Sequence, residues 1–127
     1  MIGIGVDLVD VERFARMLAR RPGLRGRLFT AVEIADSAGQ ANRLAARFAA
    51  KEAAIKALSL SEAGVGFRDI EVVKQDDGSC TIVLHGEAKR IAATLGVKRI
   101  LVSLSHDGDC AGAVVHALLE TPILQPA

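Results

Sequence analysis

The sequence predicts an α+β fold, a mostly antiparallel sheet packed against one long helix and several short ones. Three observations carry that expectation. Strand-like apolar runs open and close the chain, at residues 1–9, 99–106 and 110–119. Between them, Gln40–Leu58 is rich in Ala and Leu and free of Gly and Pro, so it is the longest helix. Short Gly-containing turns, Asp76-Asp77-Gly78-Ser79 and Asp107-Gly108, join neighbouring strand patterns as hairpins.

Met1–Val9 alternates as a strand, with Ile2, Ile4, Val6 and Leu8 on one face and Gly3, Gly5, Asp7 and Val9 on the other. The glycines beside Asp7 leave room for another backbone or a ligand to come close. Asp10 can N-cap a helix from Val11 to about Arg21, which Pro22-Gly23 stops. Thr30-Ala31-Val32-Glu33 reads as a capping box opening a short helix before the long one. Phe67–Lys74 and Cys80–Leu84 are strands, Gly86 to about Leu95 is a helix closed by Gly96, and Arg99–His106 and Cys110–Leu119 are the last strands. The order β-α-α-α-β-β-α-β-β makes residues 1–120 one domain, with 121–127 a loose C-terminal tail carrying two prolines.

Composition narrows the function. There is no Trp or Tyr and there are four Phe, which argues against an aromatic platform for nucleic acid. No apolar run approaches the ~20 residues that span a bilayer, and no secretory signal pattern opens the chain, so a cytoplasmic protein is expected. Cys80 and Cys110 lie in apolar strand contexts and are expected as buried free thiols. The net charge of +1 hides an asymmetry: residues 13–27 hold six arginines and no acid, whereas residues 57–127 hold six bases against nine acids. A local basic patch of this kind suits one acidic partner docking at one place.

Two motifs carry chemistry. Gly3-Ile4-Gly5-Val6-Asp7 brings an apolar strand to an acid, and Arg47-Phe48-Ala49-Ala50-Lys51-Glu52 is followed by Lys56 one helical turn after Glu52. Taken alone, Glu52 and Lys56 at i, i+4 are a surface pair worth ~0.2–0.5 kcal/mol. Taken with Asp7, they supply two hard oxygen ligands for Mg²⁺ and a cation for phosphate oxygens, a sufficient set for a pyrophosphate substrate. Arg47, five residues before Glu52, either reaches a second phosphate or is solvated. His106 closes a strand before a turn, and His85 and His116 have no local constellation. Arg13, Arg16 and Arg20 form one helical stripe with Met17 at its edge.

With these segments in view, the chain resembles the short, single-domain branch of the 4′-phosphopantetheinyl transferases, the holo-acyl-carrier-protein synthases. The matching segments are residues 3–9, Arg13-Phe14, Phe29-Thr30 with Glu33, Arg47–Leu58, residues 68–72 and Ser103-Leu104-Ser105-His106-Asp107. They run in family order over about residues 1–119. The resemblance implies the fold of that family and transfer of 4′-phosphopantetheine from coenzyme A to a serine of apo acyl carrier protein, releasing 3′,5′-ADP. It implies Mg²⁺ at Asp7 and Glu52, pyrophosphate contacts from Lys56, and Arg47 and His106 near the nucleotide end of coenzyme A. It implies carrier-protein contact at Arg13, which charge extends to Arg16, Arg20, Arg21 and Arg27, with Met17 at the edge of the stripe. It also implies a homotrimer with active sites between subunits.

Many members of that family carry a Gly-Thr-Gly loop after the long helix, where backbone N–H groups reach coenzyme A phosphates, and the resemblance extends that contact to Gly66. Here the stretch is Ser59-Leu60-Ser61-Glu62-Ala63-Gly64, and Gly66 is the remaining glycine before Phe67. A water held by Mg²⁺, Glu52 and Asp107 are the candidates for the base that takes the serine proton. Two other readings use parts of the same site: a Mg²⁺-dependent hydrolase of the coenzyme A pyrophosphate, and a non-catalytic coenzyme A or carrier-protein binding subunit.

Overall fold

The structure, a computed structural model, describes residues 2–119, so Met1 and the expected tail 121–127 lie outside the described residues. In chain order the elements are β1 (Ile2–Asp10), α1 (Val11–Arg20), α2 (Leu24–Leu28), α3 (Ala31–Asp36), α4 (Ala41–Ala57), β2 (Ile70–Lys74), β3 (Cys80–Leu84), α5 (Gly86–Leu95), β4 (Val97–Asp107) and β5 (Cys110–Leu119). The expected sheet is two sheets, one of order β1-β5-β4 and one of β2 with β3, and every pairing is antiparallel.

Local chemistry explains where elements begin. The Asp10 carboxylate accepts from the Arg13 amide at 2.8 Å, so the residue that ends β1 also caps α1. Thr30 and Glu33 form the reciprocal capping box at α3. Gly23, at φ 89°, restarts the chain after Pro22 and allows α2, a helix the sequence reading lacked. Its Leu28 is buried in the cluster of Phe14, Leu18 and Leu44, which holds so short a helix where propensity does not.

Three other expectations are corrected. Phe67–Asp69 is a 3₁₀ turn and not the start of a strand, because the Asp69 amide bonds back to Gly66 O at 3.1 Å. The last hairpin turns at Gly108-Asp109, one residue later than expected, with Gly108 at φ 56°. Cys110 is exposed just after that turn, and Cys80 is only partly buried; both thiols are free.

Close packing of α4 on the larger sheet positions the site. Ala45, Ala46, Ala49, Ala50, Ala53 and Ala54 are all buried, facing Ala111, Ala113, Val115 and Ala117 of β5. On β1 the approach is closer still. A Cβ at Gly3 would lie 2.1 Å from Ala57 O, and one at Gly5 1.9 Å from Ala53 O. The glycines admit the helix backbone, which places Asp7 two residues further along the same face beside α4. The opposite face of β1 is outward and apolar, with Ile4, Val6 and Leu8 at 67, 56 and 72% exposure.

All four phenylalanines join one chain of ring contacts, Phe29 to Phe14 to Phe48 to Phe67, with centroids 6.2, 5.1 and 5.5 Å apart. This chain ties α1 to α4 and to the 3₁₀ turn. Each such aromatic pair contributes about 0.5–1.5 kcal/mol beyond the area it removes from water.

Candidate active site

Asp7 and Glu52 meet at one end of a cleft of about 760 Å³ between β1, α1 and α4. The helix supplies Glu52 and Phe48, the strand supplies Asp7, Leu8 and Val9, and α1 supplies Arg13, Phe14, Arg16, Met17 and Arg20. The acids and the arginine stripe, which lie far apart in sequence, thus share one cavity. Its lining joins apolar side chains to four arginines and to the acids Asp7, Asp10 and Glu52.

Lys56 does not pair down its own helix with Glu52. Its ammonium donates to Asp7 Oδ1 at 3.1 Å and to Val6 O at 3.0 Å. Glu52 is partly buried, and its carboxyl is pushed above the usual carboxylate range first by desolvation and then by the Asp7 charge, with Lys56 opposing. Two acids that repel each other, one already engaging an ammonium, are a donor set suited to a hard divalent cation. Among the described residues no cluster of three or more metal-ligating side chains occurs. Asp7 and Glu52 are the residues of this cleft that could hold such a cation, and water and substrate oxygens would have to supply the rest of its ligands.

The cations expected at the nucleotide end lie elsewhere. Arg47 and His106 line a second cleft of about 390 Å³, with Arg43 and Lys74 as further bases and Gly78, Ser79 and Ser105 along its edge. Arg47 is not solvated. It is 6% exposed, its Nη1 donates to Arg43 O at 3.2 Å, and its buried Nε has no hydrogen-bond partner. An orphaned guanidinium N–H beside a cleft is a ready donor for an anion. Gly66 is exposed at the start of the 3₁₀ turn, where an added Cβ would meet nothing within 4 Å. Asp107 ends β4, exposed, outside the residues that line the two clefts.

Sequence reasoning missed several participants. Phe48 and Phe14 line the cleft beside Arg21, an arginine that the charge of residues 13–27 did point to. His85, expected without a constellation, lies 3.1 Å from Glu71 Oε1. Glu71 Oε2 accepts from the Thr30 hydroxyl at 2.6 Å, and that bond first, then His85, holds the Glu71 carboxyl below the usual range. Lys51 and Glu33 form a fully buried ion pair at 2.8 Å. Burial lowers the Lys51 ammonium from the ordinary lysine range, with Glu33 opposing.

An antiparallel sheet crossed by one long helix, with two carboxylates and a lysine gathered at a cleft, defines an α+β protein whose site can receive a phosphate-bearing ligand. The chain belongs to the 4′-phosphopantetheinyl transferase superfamily, whose model matches residues 3–115. It is similar to the holo-acyl-carrier-protein synthase of Leifsonia xyli subsp. xyli, with 50% identity over 113 residues that cover 89% of this chain and 92% of the relative. The corresponding synthase of Moorella thermoacetica is 40% identical over 124 residues, 95% of each chain. Among solved structures, the Chronobacterium ammoniagenes ACPS–CoA complex superposes with a TM-score of 0.85 at 32% identity, covering 95% of this chain and 99% of that one. Helicobacter pylori holo-acyl-carrier-protein synthase in complex with coenzyme A gives 0.82 at 28% identity, covering 91% and 99%. Among the described residues no helix is long and apolar enough to cross a membrane.

Proposed function

We propose that the chain transfers the 4′-phosphopantetheinyl group of coenzyme A to a serine of an apo acyl carrier protein. The observation that carries this reading is the shared cleft, in which Asp7 and Glu52 face the arginine-rimmed wall of α1. A hydrolase needs the acids and Lys56 but has no use for that wall. A binding subunit needs the wall but not the acids.

In the reaction, the serine oxygen bonds to the β-phosphorus of the pyrophosphate, the bond to the nucleotide breaks, and 3′,5′-ADP leaves. Asp7 and Glu52 would hold Mg²⁺, which supplies positive charge to the pyrophosphate oxygens when bound. Lys56, anchored to Asp7, turns its ammonium to the same oxygens, where charge develops in the transition state. Arg47 and His106 bind the nucleotide end, and Gly66 leaves backbone accessible beside the substrate. Glu52 and Asp107 stay candidates for accepting the serine proton. Arg13, Arg16 and Arg20 dock the acidic carrier protein, with Met17 as an apolar contact.

The same reading makes the active protein a symmetric trimer. Arg47 and Glu52 open into different clefts, so a coenzyme A that uses both sets of contacts draws them from two chains. Ile4, Val6 and Leu8 continue across the sheet into Val114 and Leu101, an exposed apolar face that supports self-association.

The test is the intact mass of apo carrier protein after incubation with coenzyme A, Mg²⁺ and this chain. Gain of one phosphopantetheine is expected. Consumption of coenzyme A with no mass gain would identify a hydrolase, and no change in either substrate a binding subunit.

A further inference from the structure

Lys51 precedes Glu52 on α4, yet its side chain has no exposed surface. Its ammonium donates to three acceptors: Glu33 Oε1 at 2.8 Å, Phe67 O at 2.8 Å and Ile70 O at 2.6 Å. Its N–H inventory is therefore full. Glu33 is equally satisfied, since it also accepts the Thr30 amide at 2.9 Å and the Val72 amide at 2.9 Å.

Stability alone does not call for this arrangement. Removing two charges from water offsets most of their attraction, and a well-packed hydrophobic pair commonly serves as well or better. What a hydrophobic pair cannot do is hold two backbone carbonyls at fixed positions. Phe67 and Ile70 bracket the 3₁₀ turn that ends the segment 59–66. The near end of that segment leaves α4 three residues after Lys56 and is held by the buried side chains of Leu58 and Leu60. Lys51 ties the far end, at Gly66-Phe67, back to the helix that carries Glu52 and Lys56. The ring chain through Phe67 and Phe48 holds the same point from the side.

We infer that Lys51 is a positioning residue for the coenzyme A pyrophosphate: through Phe67 and Ile70 it sets segment 59–66 relative to Lys56. This rests on the reading above, in which the pyrophosphate lies beside Lys56 and Gly66. Glu33 supports Lys51 by keeping its charge paired. The carrier-protein wall on α1 does not depend on this tether.

The experiment compares wild type, Lys51→Met, the double variant Lys51→Met/Glu33→Gln, and Lys56→Met. Lys51→Met leaves Glu33 buried without its cation, so its melting temperature falls. The double variant removes both buried charges and recovers part of the lost melting temperature, since glutamine keeps one acceptor oxygen for the Thr30 and Val72 amides and gives up the other. Its KM for coenzyme A stays raised about tenfold, because the carbonyls remain untethered, while KM for carrier protein stays within about twofold. A double variant with wild-type KM for coenzyme A, or one that raises both KM values alike, overturns the proposal. So does a double variant that fails to fold, which would make the pair structural. Lys56→Met separates this from the parent reading: wild-type turnover by that variant would remove the pyrophosphate from Lys56 and defeat the reading itself.

Discussion

Lys56 reaches from α4 across to β1 and bonds Asp7 at 3.1 Å, although Glu52 lies one turn away on its own helix. Two motifs 45 residues apart are thereby joined into one site through an ammonium. The contact is half exposed on the lysine side, so its energetic worth is small, and its value is positional. It sets a cation against the carboxylate that the proposed metal also uses.

The first prediction concerns these acids. Asp7→Ala and Glu52→Ala should each lower Mg²⁺-dependent turnover by roughly a hundredfold or more, because each removes a charged ligand where transition-state charge is offset. Neither residue is part of the hydrophobic core, so melting temperatures should stay near wild type. Turnover measured across a Mg²⁺ titration checks this; near-wild-type rates at saturating Mg²⁺ would take that residue out of the site.

Charge reversal on α1 tests the carrier-protein wall. Arg13→Glu with Arg20→Glu should raise KM for carrier protein and flatten its dependence on salt, since rim charges act mainly on encounter. KM for coenzyme A should hardly move. Equal weakening of both substrates, or of neither, would show that the stripe is not the docking surface.

Assembly is tested on the outward face of β1. Val6 is 56% exposed, so Val6→Glu leaves the interior of a single chain untouched while placing a charge in the proposed contact. Wild type should sediment as a trimer at micromolar concentration, and the variant as smaller species with most activity lost. A wild-type protein found only as monomer would contradict the shared-site reading.

Acid stability should report on Glu71. Its carboxyl is held below the usual range, chiefly by the Thr30 hydroxyl, so the folded state binds its proton less readily than the unfolded chain. The stabilisation is complete above the unfolded glutamate value of about 4.3 and is lost as pH falls through the lower folded value. Glu71→Gln should therefore cost about 1–2 kcal/mol at neutral pH, a hydrogen bond to a charged group, and progressively less on acidification. Thermal melts of both proteins from neutral to acid pH measure the gap; a gap that widens in acid would reverse the assignment.

Much of this molecule was legible in local patterns. The caps at Asp10 and Thr30, the breaker Pro22-Gly23 and the Gly-free run that became α4 act within a few residues, so their physics is written in adjacent letters. The start of β2 was misread because Phe67-Arg68-Asp69 has strand-like neighbours, whereas its backbone follows carbonyls drawn in by Lys51. α2 was missed because five residues carry no helical period, and burial of Leu28, with Leu24 packed on the same cluster, holds them.

The sequence by itself determined which residues could do chemistry: an acid at the end of a Gly-punctuated strand, a Glu and a Lys one helical turn apart, and a stripe of arginines free of acids. Tertiary structure decided how they combine. It put Asp7, Glu52 and the arginines around one cleft, sent Arg47 and His106 to another, and turned Ile4, Val6 and Leu8 outward while the glycines faced α4. It also buried Lys51 and Glu33, two residue types that local pattern assigns to solvent. The reason is physical. Periodicity says which side chains share a face, but the face that is covered depends on how closely another element can approach, and here alanines on α4 against glycines on β1 made that choice.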